Sequence, residues 1–85
     1  MLDDLDHVFR KLGHYPVDDD VKIAFSRVLS YCELRANASQ KKALEAFESF
    51  GKIVLLQDRP AKLFFHRKFA RAAMDLSRSF ESAAA

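Results

Sequence analysis

Glycine and proline are scarce: each occurs only twice in 85 residues, and tryptophan does not occur at all. So few chain-breakers exclude an architecture of short strands and frequent tight turns, and leave long segments free for helices. Cysteine is almost missing too. Cys32 alone can form neither a disulfide within the chain nor a paired-cysteine zinc site, which fits a reducing, cytoplasmic setting. On an apolar helical stripe it reads as a small core residue rather than a nucleophile. No apolar run approaches the ~20 residues of a membrane span. The opening "MLDDLDHVFRK" is acidic almost from the start, unlike a secretory leader.

Reactive constellations are missing as well. The chain has no GxGxxG or phosphate-binding loop, no HExxH pair, and no nucleophile beside a base. His7, His14 and His66 fall on three separate segments and read as surface histidines. "DDLD" and "VDDD" are acidic but lack the spaced ligands, glycine and closing glutamate of a calcium loop. The expectation is no enzyme, no metal site and no cofactor.

What is present is apolar periodicity. One helical domain is expected over residues 1–82, and the alanine tail at 83–85 reads as either a genuine end or a cloning scar. At this size, burial at ~25 cal/mol per Å² barely offsets ~1.5 kcal/mol of entropy per ordered residue. Eight phenylalanines therefore matter, and a homo-oligomer is a second way to bury apolar surface.

The expected fold is all-α: a compact four-helix bundle with helices at about 2–12, 19–36, 39–57 and 61–80, the third at its centre. In the first, Leu2, Leu5, Val8, Phe9 and Leu12 share a face, aspartates open it, Arg10 and Lys11 close it, and Gly13 stops it. Tyr15 precedes a proline, so "GHYPV" reads as a loop. Asp18 or Asp19 can cap the second helix, whose inward stripe is Val21, Phe25, Val28, Leu29, Cys32 and Ala36. Asn37 and Gln40 form a capping box for the third, making the second and third an antiparallel hairpin. The third helix has a wide apolar arc around Phe47 and Phe50 and continues through Gly51, with a break there and an extended "KIVLLQ" as the alternative. Pro60 suits the first turn of the fourth helix. Leu5, Phe9, Phe25, Leu29, Phe47, Phe50, Phe65, Phe69 and Leu76 should make one core.

Charge is unevenly spread. Asp3, Asp4, Asp6, Asp18, Asp19 and Asp20 face only Arg10 and Lys11 in the first quarter of the chain, whereas Arg59 to Arg78 holds six basic residues against Asp75 alone. Either an acidic partner is implied, or the acidic first segment folds over the basic last one. The second reading is the simpler.

Two outward lines stand out. With Phe65 turned inward, the far side of the fourth helix carries Arg67, Arg71 and Arg78 with Leu63, Phe64 and Met74 among them. With Phe25 inward, the second helix shows Ile23, Arg27 and Leu34 outward, bordered by Tyr31. Interfaces are enriched in arginine, methionine and aromatics, and depleted in lysine and glutamate. The leading expectation is a small regulatory protein-binding module, of antiactivator, inhibitor or adaptor type, docking the outer faces of the second and fourth helices on a partner protein. The alternative is a nucleic-acid-binding transcriptional regulator using the basic face of the fourth helix. A second alternative is a self-associating structural or assembly subunit. The bland reading of both lines is that they are simply core.

Overall fold

The structure, a computed structural model, describes residues 2–12 and 15–84; of Leu2 and residues 82–84 only the backbone is described. Four helices follow one another: α1 (Leu2–Arg10), α2 (Asp19–Arg35), α3 (Ala38–Leu55) and α4 (Leu63–Ala84). No strand occurs among the described residues. The molecule measures 37 × 23 × 17 Å. Its long dimension is close to the ~33 Å that a helix as long as α4 spans at ~1.5 Å per residue.

The helices pack in a ring. α1 lies against α2 and α4, and α3 against α2 and α4, with the α3–α4 interface the most extensive. Rings cross the α2–α4 diagonal. Phe25, Phe47 and Phe69, all buried, meet pairwise with centroids 5.2, 6.0 and 5.1 Å apart. Phe9 of α1 joins them at 6.5 Å from Phe69. Tilted and stacked aromatic pairs at these separations add ~0.5–1.5 kcal/mol each beyond burial. Leu5, Val8, Val21, Val28, Cys32 and Leu76 close the core around them. Of the expected cluster, Phe9, Leu29, Phe50 and Phe65 are only partly buried, although they pack on it. A domain this small has too much surface to enclose every large side chain.

α3 passes through Gly51 without a break, and Gly51 is buried against the Phe25 and Phe69 rings. The capping box at its start is complete. Asn37 Oδ1 accepts from the Gln40 backbone at 2.9 Å, and Gln40 Oε1 accepts from the Asn37 backbone at 2.9 Å. Buried Gln40 also donates through Nε2 to the Ser79 carbonyl of α4 at 3.1 Å.

Helix ends differ from the expectation at several places. α1 stops at Arg10 because the Lys11 and Leu12 amides turn back to the Val8 and Phe9 carbonyls, each at 3.2 Å. The expected stop residue, Gly13, lies outside the described residues, as does His14. Asp18 takes the first flanking position of α2 but makes no side-chain cap. α3 ends at Leu55, and the Leu56 amide bonds the Lys52 carbonyl. α4 begins at Leu63, not in the turn of Pro60, with the Lys62 carbonyl accepting from Phe65 and His66. Asp58 is the capping-type residue of that loop. Its carbonyl accepts from the Tyr15 hydroxyl. α4 then runs on past Phe80 to Ala84.

Candidate protein-binding surface

α4 is amphipathic with a core side of Phe65, Phe69, Ala72, Ala73, Leu76 and Phe80. Everything on its opposite side is therefore turned outward by helical geometry. Leu63, Phe64 and Met74 are 63%, 58% and 50% exposed, and Arg67, Arg71 and Arg78 are exposed among them. Leu63 and Phe64 open this face and Met74 stands on it about three turns later, with Arg67, Ala70 and Arg71 between them. Lys68 reaches back over the Phe64 ring, with Nζ 5.4 Å from its centroid.

The electrostatics of this stripe correct one expectation. The acidic first segment packs on α4 as well as α2, but among the described residues its aspartates form no ion pair with the basic groups of α4. Asp4 pairs with Arg27 at 3.9 Å, His7 with Asp20 at 2.7 Å and Lys11 with Asp18 at 3.8 Å, tying α1 to α2 and to the residue before it. Asp6 pairs with Arg10 inside α1 at 2.9 Å. None of Arg67, Arg71 and Arg78 stands in an ion pair with any described residue. α1 is antiparallel to α2, so its aspartates meet the basic groups of its immediate neighbour first. The hydrogen bond from His7 holds the Asp20 carboxyl below its usual range.

A groove of about 340 Å³ runs between α1 and α4. Buried Leu5 and Ala73 make its floor and half-buried Phe9 one wall; exposed Asp6, Met74, Arg78 and Glu81 form the rim. Arg67, Ala70, Arg71, Met74 and Arg78 line a shallower depression along α4 that shares Met74 and Arg78 with the groove. Met74 is the point where the two meet.

On α2, Ile23 is 52% and Leu34 83% exposed. Leu34 packs on so little that it cannot be core. Arg27 is the partner of Asp4, and Tyr31 is engaged within the fold: its ring lies 6.4 Å from Phe80 and the Arg35 guanidinium sits 3.9 Å above it. The α2 and α4 lines are not one surface, because α1 lies between them, touching Arg27 on one side and lining the groove by Met74 on the other. Outside the core, α2 and α4 also meet beyond the N-terminus of short α1, through Tyr31 and Phe80.

Several surface features were not legible in the pattern. The groove depends on how α1 crosses α4, which no single-helix periodicity encodes. Tyr15 and Leu56 are also exposed, at the end of the bundle where the loops meet. Asp58 next to Pro60 marked a loop there, but nothing marked Tyr15 as its partner. Burial pushes the Cys32 thiol up to about 11, which keeps it protonated and unreactive near neutrality. Among the described residues no three His, Cys, Asp or Glu side chains come together as metal ligands, and no helix is long and apolar enough to cross a membrane.

Compared with protein-family models, curated proteins and solved structures, the chain matches none.

Proposed function

We propose that this chain is a small regulatory module that works by stoichiometric docking on another protein, as an antiactivator, inhibitor or adaptor does. One observation carries the reading: exposed Leu63, Phe64 and Met74 stand along α4 among arginines that have no ion-pair partner among the described residues. Arginine and large apolar groups are the residue types that anchor protein interfaces. The isolated Leu34 and Ile23 on α2 offer a second, separate contact. A partner that engages both lines has to reach around α1. Affinity capture from source cells, with the chain and its Arg71→Ala and Leu34→Ala variants as baits, tests this. The expected result is one protein retained in near-equal amount by the parent and depleted from the variants. Identical retention by all three baits would remove both lines from the interface.

These arginines, unpaired among the described residues, also favour a second reading, a transcriptional regulator gripping a nucleic-acid backbone through α4. About four phosphate contacts would give a log–log salt slope near −3.6 on random duplex. Duplex binding with that slope, abolished in an Arg67→Ala, Arg71→Ala, Arg78→Ala triple variant, would place this reading first.

A further inference from the structure

We infer that the partner presents an acidic amphipathic helix, which lies along the outer face of α4 and seats an apolar side chain in the groove between α1 and α4. This deepens the protein-binding reading and rests on it. The outward residues Leu63, Arg67, Ala70, Met74 and Ser77 follow one another at alternating spacings of four and three, the seam by which one helix packs on another. Phe64, Arg71 and Arg78 flank that seam at seven-residue intervals. The core seam of α4, through Phe65, Phe69, Ala72 and Leu76, is already filled by α3 and the other helices. The outer seam is a second one that no described helix covers, although Met74 and Ser77 border α1 at the groove.

Charge selects the occupant. Three arginines line the seam, Asp75 is the sole carboxylate on the flank away from α1, and Asp4, Asp6, Asp18 and Asp20 are spent on other partners. A second copy of this chain paired through the same face would bring six arginines into one seam, which like-charge repulsion opposes. A phosphate backbone would satisfy the arginines but leave Leu63, Phe64 and Met74 against charge. A helix with glutamate or aspartate on one flank and leucine-type residues on its seam satisfies both requirements. Its acidic flank faces Arg71 and Arg78, within reach of the Arg67 guanidinium, and an apolar residue enters beside Met74 over Leu5 and Ala73.

The test uses the full chain and fluorescent synthetic peptides of about three heptads, read by anisotropy. One peptide has leucine at the seam and glutamate on the flanks; another replaces the glutamates by lysine; a third has the composition of the first in scrambled order. A labelled random duplex completes the set. The glutamate peptide should bind, more weakly as salt is added, and about tenfold or more tighter than the lysine and scrambled peptides. A variant carrying Arg67→Glu, Arg71→Glu and Arg78→Glu should reverse the preference, binding the lysine peptide the better. That gain cannot come from misfolding. Equal binding of glutamate and lysine peptides, sensitive to Met74→Asp, would overturn the acidic partner and leave a protein-binding face. Duplex binding without peptide binding would overturn both, and binding of nothing would overturn this inference.

Discussion

A Cβ on Gly51 would stand 2.2 Å from Cε1 of Phe25, far inside van der Waals contact. It would also lie 2.3 Å from Cζ of that ring and 3.1 Å from Cε1 of Phe69. The Phe25 ring cannot swing aside, because Phe47 and Phe69 hold it on its other sides. Gly51→Ala should therefore destabilise the fold, by roughly 1–3 kcal/mol of overpacking less the ~1 kcal/mol that alanine gains as a helix former. Urea unfolding reads the sign directly. A variant more stable than the parent would mean that the ring has room to move.

Phe47 stacks on Phe69 and packs on Phe25 from the opposite pair of helices. Phe47→Ala should cost ~3–5 kcal/mol. Against a total of ~5–15 kcal/mol for a typical domain, that removes much of the stability. A circular dichroism melt that is unchanged by the substitution would refute the placement of Phe47 in the core.

Leu34→Ala and Arg71→Ala change side chains that stand in solvent, so both melts should stay near the parent's, within about 0.5 kcal/mol. Association with the partner should weaken tenfold or more, about 1.4 kcal/mol. Melting and titration on the same samples decide between surface and core. A Leu34→Ala variant destabilised by ~2–5 kcal/mol would behave as a core truncation and refute its exposed placement.

Asp20 accepts from His7 across the α1–α2 interface, and its folded pKa lies below the ordinary 3.8. The unfolded chain thus takes up this proton first as pH falls. The stabilisation is in place above 3.8 and is lost as pH drops through the lower folded value. Carbon-detected NMR titration should find the Asp20 midpoint below 3.8 in the parent and back near it in His7→Ala. An unshifted parent midpoint would show that the two side chains do not meet in solution.

Much of this architecture could be read from single-helix patterns, because each helix carries its own inward stripe and few breakers interrupt it. The Asn37–Gln40 box and the unbroken passage through Gly51 followed from local chemistry alone. What escaped were relations between segments. The partners of the early aspartates depend on which helix α1 lies beside, and composition along the chain is silent about that. The bond from Tyr15 to the Asp58 carbonyl spans 43 residues of sequence. The exposure of Leu63, Phe64 and Met74 was legible as an outward line. The groove beside Met74 was not, since Leu5 and Ala73 form its floor only once α1 and α4 cross.

Gln40 holds two structures together with one amide. Its oxygen closes the first turn of α3, and its nitrogen reaches the Ser79 carbonyl on α4. Sliding α4 by one residue along α3 would carry that carbonyl ~1.5 Å along the axis and turn it to another side. The amide would then lose one bond or the other in a site with little access to water. The register of the largest helix pair is thus keyed to the cap of one of its members. Gln40→Glu separates the two roles, since a carboxylate still accepts from Asn37 but has no N–H for Ser79. Its loss of stability combines the missing bond with the cost of a carboxylate facing the Ser79 carbonyl in a buried site, and so bounds the key from above.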